Sequence, residues 1–329
     1  MTRPTRCNSQ DELDELLLSL QELNLSKSIS FRTNYMQAHG GFCDVFMGYS
    51  SKHGEMRVAV KRLRIHILHN RDVSKMIFRE LKIWSTLKHP NVLPLLGYVM
   101  HDKYPCSVSQ WMVNGTVRKC LDNSVALDIL EMARGIAAGL LHLHQKGVIH
   151  SDLKCDNVFV SDEGHPLLAD FGISRVMSAS TTLTFGSSCT AGSARWMAKE
   201  LLMVAWDDPN SGKHSKATDV WAFGMVVYEL ATGLLPYPDL RNDLQVSMAI
   251  ISDQFPRRPP SDNNVCQHFM WSICEMCWVT MPSDRPDMDL ICSVLSENPW
   301  NQIYTPPRRS PSTLEIDTLG SKNRCKWIT

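Results

Sequence analysis

The 329-residue sequence has no excess of charge of either sign, because 34 lysine and arginine residues balance 34 aspartate and glutamate residues. Binding to nucleic acid favours concentrated positive charge, so this balance gives no support to a nucleic-acid partner. No apolar run approaches the roughly 18 residues that a membrane helix requires. The opening MTRPTRCNSQDELDEL also lacks the apolar core of a secretory signal. We therefore expect a cytoplasmic protein without a membrane partner.

Global disorder and zinc-binding cysteine clusters are not indicated either. Hydrophobic residues make up 43% of the chain and charged residues 21%, which allows a sizeable core. Eleven cysteines are present, but the single CxxC pair, Cys274 and Cys277, lacks a second pair at zinc-site spacing. We expect mostly reduced, buried thiols, with this pair on the core face of a helix rather than in a metal site.

The hydrophobic pattern divides the chain into four segments. Residues 1–28 form a leader, in which Leu13, Leu16, Leu17 and Leu20 recur at helical spacing. This predicts a short amphipathic helix that packs either on the next segment or on a partner. Residues 29–113 are rich in predicted strands, residues 114–297 are mostly helical, and residues 298–329 are predicted to be a flexible tail. The order predicts an α+β protein of two lobes, a β-rich one and a helical one.

Two charged residues interrupt apolar patterns in the strand-rich part. Lys61 ends the apolar run 56–61, and Glu80 shares one stripe of a helix predicted at 73–88 with Met76, Ile83 and Leu87. A carboxylate on an apolar stripe is costly unless a cation meets it. Lys61 is the nearest candidate for that cation. The alternative is that Glu80 reaches solvent at the edge of the stripe.

The densest group of chemically useful side chains lies in residues 148–172. Two short apolar runs, 158–160 and 166–169, are flanked there by Asp152, Lys154, Asn157 and Asp170. A general base, a counter-charge and two oxygen ligands for a hard divalent cation are what phosphoryl transfer needs. The less favoured alternative is a polar loop between two strands.

With these residues in view, the chain resembles the eukaryotic protein kinases over roughly residues 29–297. The motifs occur in the order of that family: VAVK at 58–61, Glu80, HSDLKCDN at 150–157, DFG at 170–172, WMAKE at 196–200, DVWAFG at 219–224 and DRP at 284–286. The phrases HPNVLPLLGY and CWVTMPSDRP resemble the tyrosine-kinase-like group, of the sort expanded in mushroom-forming fungi. Lys154, two residues after Asp152, is the serine/threonine-kinase form of this loop.

The resemblance implies a bilobal kinase fold and an enzyme that uses ATP and Mg²⁺ to phosphorylate serine or threonine hydroxyls of a protein substrate. Asp152 would accept the proton of the substrate hydroxyl, and Lys154 would neutralise charge on the transferred group. Asn157 and Asp170 would bind the magnesium ion.

The nucleotide would bind to the strand-rich part. Lys61 would hold the α- and β-phosphates, and Glu80 would hold Lys61. The other contacts that the resemblance implies come from the phosphate loop, the adenine pocket with its gatekeeper Ser109, and the chain beyond it: Gly40, Gly41, Val45, Ala59, Ser109, Gln110 and Met112.

The resemblance also implies three contacts within the helical part. Ser193 would touch both Asp152 and Lys154. Asp219 would brace the backbone of the catalytic loop. Glu200 and Arg285 would form a structural pair.

Four positions depart from the family pattern. The glycine-rich loop reads AHGGFCDV at 38–45, with Ala38 and Cys43 at two glycine positions, so weaker ATP binding is expected. Ser151 replaces an arginine that normally meets a phosphate, so little dependence on phosphorylation at 178–190 is expected. Lys199 replaces a proline. These departures favour the alternative of a pseudokinase scaffold, whereas the retained chemical groups favour an active enzyme.

Overall fold

The computed structural model describes residues 15–31, 36–39, 43–63, 71–101, 104–171, 192–203, 212–258 and 265–297. The chain divides into two compact units. The first comprises the residues up to Val113 together with Ala169–Ala191, and the second comprises Asn114–Leu168 and the residues from Gly192 onward. Gly40, Gly41 and the predicted tail lie outside the described residues.

The first unit contains a sheet of six antiparallel strands: β1 (Ile29–Ser30), β2 (Met36–His39), β3 (Cys43–Ser50), β4 (Met56–Leu63), β5 (Leu95–His101) and β6 (Tyr104–Gln110). The order is β1-β3-β4-β6-β5, with β2 paired to β3, so β5 lies at an edge. Lys61 lies opposite Val45 and Ser107, and Ala59 lies opposite Ser109. Since opposed residues share a face and side chains alternate along a strand, these five side chains lie on one face.

The long helix of the first unit, α1 (Arg71–Thr86), begins and ends two residues before the predicted limits. Its buried residues include Ile77, Phe78 and Leu81, whereas Ile83 is 38% exposed. Of the predicted stripe, Leu87 is buried and Met76 packs against the buried cluster, but the position of Ile83 was wrong. The reason is tertiary, because the leader packs on α1 and buries a face that the local pattern did not reveal.

The leader packs on the segment that follows it, which decides between the two predicted alternatives. Residues 15–19 are helical and Gln21–Leu23 form a turn of 3₁₀-helix. Leu16 and Leu20 are buried in one cluster with Ile77, Phe78 and Leu81 of α1.

The second unit is mostly helical: α2 (Val117–Asp122), α3 (Ile129–Gln145), β7 (Val158–Val160), β8 (Pro166–Leu168), α4 (Lys199–Leu202), α5 (Lys216–Thr232), α6 (Asp243–Ile251), α7 (Val265–Cys277) and α8 (Met288–Ser296). The predicted α+β class is confirmed, with the sheet in the first unit and most helices in the second. Val125 lies before α3 and is 50% exposed. The helix begins after Asp128 because that side chain accepts a hydrogen bond from the Glu131 N–H.

Helix α5 forms the centre of the second unit. Every residue from Thr218 to Ala231 is buried, as expected of a helix that is apolar on nearly all sides. Ser215 caps its start with Thr218 in a reciprocal capping box, and Gly233 ends it with φ of 71°. Cys274 and Cys277 lie buried on α7, which packs on α5, so the predicted core position of this pair is confirmed. No helix among the described residues is both long enough and apolar enough to cross a membrane.

Candidate active site

Asp152 lies in the loop between α3 and β7, where three side chains hold its carboxylate. Asn157 Nδ2 donates to Oδ2 of Asp152 at 2.9 Å and to its backbone carbonyl at 2.7 Å. Ser193 Oγ donates to Oδ1 at 3.0 Å, and Lys154 Nζ lies 3.2 Å from Oδ2. Lys154 also donates to Ser193 Oγ at 2.8 Å. The four side chains therefore form one closed network, including both contacts implied for Ser193.

Asp219 of α5 fixes the backbone that precedes Asp152. Its buried carboxylate accepts hydrogen bonds from the His150 N–H at 2.7 Å and the Ser151 N–H at 2.9 Å. The Nε2 atom of His144 lies 2.9 Å from the same carboxylate. Ser151 has a φ of 68°, which is an unfavourable conformation for a residue with a side chain. The two hydrogen bonds stabilise that conformation, so Asp219 braces the loop as the resemblance implied.

Glu229, nearly three turns further along α5 than Asp219, is a second anchor that was not predicted from the sequence. Its fully buried carboxylate accepts hydrogen bonds from the Cys155 N–H at 3.1 Å, Trp196 Nε1 at 2.8 Å and Arg118 Nη1 at 3.2 Å. Burial raises the pKa of Glu229 to about 7, and these donors oppose the rise. The sequence did carry a signal, since Glu229 is an acid inside an otherwise apolar helix.

Glu200 and Arg285 form the structural pair that the resemblance implied. The guanidinium donates to both carboxylate oxygens, at 2.6 and 2.9 Å. Arg285 also donates to the backbone carbonyls of Val279 at 2.7 Å and Ala217 at 2.9 Å. The pair thus ties α4 to the start of α5 and to the turn before α8.

In the first unit, Lys61 and Asp170 form an ion pair, with Nζ 2.5 Å from Oδ1. Burial disfavours the charged ammonium, but the charge of Asp170 and hydrogen bonds with Asp170 and Cys43 outweigh burial and raise the pKa of Lys61. Asp170 has a φ of 62°, which places it in a sharp turn directly after the apolar run 166–169.

The implied ion pair of Lys61 with Glu80 is not found among the ion pairs of the described residues. Both side chains line a cavity of about 40 Å³, together with Ser107, Asp170 and Phe171. Glu80 therefore lies near Lys61, as predicted. The carboxylate that forms the ion pair with the Lys61 ammonium group, however, is that of Asp170. The sequence could not decide between two carboxylates that approach one lysine from different segments.

The other described positions at which the resemblance implies nucleotide contacts lie in the first unit. Val45, Ala59 and Ser109 share the sheet face of Lys61. Gln110 lies opposite Val58, and the next N–H, that of Trp111, donates to the Arg57 carbonyl at 3.0 Å. Met112 is buried.

The family described as protein tyrosine and serine/threonine kinase matches residues 32–295. The chain therefore belongs to the protein kinase family. Over 257 residues it is 30% identical to the serine/threonine/tyrosine-protein kinase HT1 of Arabidopsis thaliana, with 76% of this chain and 62% of that protein covered. Over 286 residues it is 29% identical to a mitogen-activated protein kinase kinase kinase of Drosophila melanogaster, with 82% and 23% covered.

A third relative is a probable serine/threonine-protein kinase of Dictyostelium discoideum. The identity is 29% over 294 residues, with 88% of this chain and 29% of that protein covered. This chain spans less than two thirds of the length of each of these three relatives.

Proposed function

We propose that the protein is a protein kinase that uses ATP and Mg²⁺ to phosphorylate serine or threonine hydroxyls of a protein substrate. The observation that carries this proposal is the closed network of Asp152, Lys154, Asn157 and Ser193. The relatives named as serine/threonine-protein kinases support the same activity.

Asp152 acts as the base for the substrate hydroxyl. Asn157 holds one carboxylate oxygen and Ser193 the other, so the carboxylate is oriented before a substrate arrives. A positioned general base typically contributes about 10²–10⁴-fold to the rate. Lys154 supplies positive charge beside it, where phosphoryl transfer develops negative charge.

The donor set of the two metal-binding candidates fits magnesium. Mg²⁺ binds to few protein oxygens and takes its other ligands from phosphate and water. Asn157 donates a hydrogen bond from Nδ2 to Asp152, so its carbonyl oxygen points away from that carboxylate. Asp170 forms its ion pair with Lys61 through Oδ1. Asn157 Oδ1 and Asp170 Oδ2 are the atoms that we assign to the cation. The bound metal would supply charge neutralisation on the phosphates.

Two of the departures from the family pattern leave this network intact. Ser151 contributes its backbone N–H to Asp219, which any non-proline residue can do. Lys199 begins α4, and its ammonium lies 2.6 Å from Oδ2 of Asp253. Neither substitution removes a group that touches Asp152, so the geometry favours an active enzyme over a pseudokinase scaffold.

The test compares three proteins: wild type, Asp152→Asn, and the matched control Asp162→Asn, whose side chain is exposed. Each is incubated with magnesium, radiolabelled ATP and dephosphorylated casein. We expect Asp152→Asn to lower the phosphorylation rate about 10²–10⁴-fold and Asp162→Asn to leave it unchanged. Equal background signals from all three proteins would instead establish the scaffold alternative.

Three finer assignments complete the proposal. We assign the chain to the tyrosine-kinase-like group, of the type expanded in mushroom-forming fungi, on the phrases HPNVLPLLGY and CWVTMPSDRP. We assign residues 29–297 to the kinase domain, with lobes at 29–113 and 114–297. A cytoplasmic location is supported by the eight cysteines of the described residues that are thiols rather than disulfides, seven of them buried.

A further inference from the structure

The described part of the leader, residues 15–28, runs around the edge of the sheet and packs against both of its faces. Tyr98 of edge strand β5 lies opposite Ser107, on the same face as Lys61, and Leu16 and Leu20 pack beside it. Leu25 is buried with Val58, Val60 and Val108 on the other face. The leader therefore changes face between residues 20 and 25.

The crossing point is fixed by backbone contacts with β5. The Leu25 N–H donates to the Tyr98 carbonyl at 2.8 Å, and the Met100 N–H donates to Ser26 Oγ at 3.1 Å. A Cβ atom at Gly97 would lie 2.2 Å from the Leu23 carbonyl oxygen. Only glycine therefore allows the leader to lie this close to the strand.

The α1 residues that the leader covers also form the wall around Lys61. Ile77 and Leu81 belong to the same buried cluster as Leu16 and Leu20, and the same two side chains of α1 line the cavity that contains Lys61 and Glu80. At about 100° per residue, Ile77, Glu80 and Leu81 lie on one side of the helix. A shift of α1 at its contact with the leader would therefore move Glu80 relative to Lys61.

We propose that Leu16 and Leu20 are positioning residues for phosphoryl transfer, which act through α1 by holding Glu80 in the wall of the Lys61 cavity. The proposal rests on the kinase activity proposed above. It goes beyond the family resemblance, because the leader lies outside the matched residues 32–295.

Leu25 offers a matched control within the same leader. Leu20 is 2% exposed and Leu25 is 0% exposed, so truncation to alanine removes an equally buried leucine side chain in both variants. Leu20 shares its buried cluster with three residues of α1, whereas the cluster around Leu25 consists of strand residues and contains none from α1. General destabilisation should therefore appear in both variants, and loss of α1 positioning in only one.

The experiment uses the full chain with Leu20→Ala, Leu25→Ala and the milder Leu20→Met. Denaturant midpoints are measured first, and both alanine variants are expected to unfold at lower denaturant concentration than wild type. Casein phosphorylation is then measured against ATP concentration, at a temperature where each variant is folded.

We expect Leu20→Ala to lower kcat/KM for ATP about tenfold, since a small misplacement of a catalytic group is enough for such a loss. Leu25→Ala should stay within about twofold of wild type, and Leu20→Met should recover most of the rate.

Gly97→Ala adds a test that leaves the sequence of the leader unchanged. Its new methyl group would lie 2.2 Å from the Leu23 carbonyl oxygen and 2.9 Å from two side-chain atoms of Leu25, so the leader must shift at its crossing point. Because that shift also moves the segment that carries Leu20, the variant should reproduce the kinetic loss of Leu20→Ala. Equal kinetic losses in Leu20→Ala and Leu25→Ala would overturn the inference, and so would a rise in activity for Leu20→Ala.

A nucleotide-binding measurement separates failure of this inference from failure of the proposed function. If wild type does not phosphorylate casein above the Asp152→Asn background, the proposed function fails. Binding of a fluorescent ATP analogue to the same variants then decides the positioning role. Weaker binding by Leu20→Ala than by Leu25→Ala supports it, and equal binding overturns it.

Discussion

The two units fix their charged groups by different physical means. In the second unit, Asp219 and Glu229 project from one buried helix and bond directly to the backbone of the catalytic loop. In the first unit, Lys61 is held by one ion pair, and the helix that carries Glu80 is held by apolar packing. A buried hydrogen-bond network tolerates few alternative geometries, whereas a partly exposed ion pair and an apolar contact allow adjustment.

This difference predicts how stability and activity are related in each unit. In the second unit the same hydrogen bonds hold the fold and orient the reactive groups, so a substitution should damage both. In the first unit the reactive lysine contributes little to the fold, so activity can be lost while stability is kept.

The largest expected effect on stability comes from Asp219→Asn. An asparagine cannot accept from both loop N–H groups and also serve His144, so a buried polar group loses its partner. We expect the free energy of unfolding to fall by about 2–3 kcal/mol and the phosphorylation rate to fall at least about tenfold. Chemical denaturation measures the free energy of unfolding, and the casein assay measures the phosphorylation rate. The control Asp289→Asn, at an exposed site, should change neither, and an unaltered rate in Asp219→Asn would contradict the bracing role.

Glu229→Gln should change how stability depends on pH. The pKa of Glu229 is raised by burial to about 7 in the folded chain, above the ordinary value of 4.5. The folded state then binds a proton more tightly than the unfolded state, so this group stabilises most below pH 4.5. That contribution is lost as pH rises through 7, by an amount on the order of 3 kcal/mol.

The measurement is a denaturation series from pH 5 to pH 8 on wild type and Glu229→Gln. Stability of wild type should decline more steeply with pH than that of the variant. Parallel curves for the two proteins would show that Glu229 does not titrate in this range. The neighbours Arg118, Asp122 and Asp156 are present in both proteins, so the difference between the curves isolates Glu229.

Lys61→Met should separate activity from stability. The side chains of Lys61 and Asp170 are 19% and 29% exposed, and such pairs contribute little net free energy. We expect less than about 1 kcal/mol of change in unfolding but at least about a 10²-fold loss of phosphorylation. Lys199→Met is the matched control, because Lys199 is 20% exposed and also pairs with an aspartate. It should retain activity, and a loss equal to that of Lys61→Met would contradict the assigned role.

The smallest effect is expected for seven hydroxyl residues that lie outside the described residues. The resemblance places a phosphate-binding arginine at position 151, where this chain has serine. Without that guanidinium, phosphorylation has no charge-assisted link to the catalytic loop. We expect activity within about threefold of wild type when alanine replaces Ser178, Thr181, Thr182, Thr184, Ser187, Ser188 and Thr190. Collapse to the Asp152→Asn background would refute the prediction.

Elements with strong local signals were predictable from the sequence. Helix α5 has a serine cap before it, a mostly apolar interior and a glycine after it, so both of its ends follow from local signals. The face of α1 was not predictable, because the leader and Tyr98, which share its buried cluster, are distant in the sequence. Periodicity reports which residues are apolar, and not which neighbour covers them.

In the candidate site too, residues close together in the sequence were predictable and contacts between distant segments were not. Asp152, Lys154 and Asn157 lie within six consecutive residues, so one motif identified all three. Glu229 was missed because it acts on Cys155 across 74 positions. The partner of Lys61 was misassigned because Glu80 and Asp170 both suit its charge, and only the folded chain shows which one comes within contact distance.

By itself the sequence determined the order of the motifs, the family and the chemical groups available for phosphoryl transfer, because residue type and close spacing are local properties. The tertiary structure decided which carboxylate binds Lys61, which helix anchors the catalytic loop and where the leader packs. Each of these depends on contacts between distant segments, whose geometry is set by packing of the whole unit rather than by any local pattern.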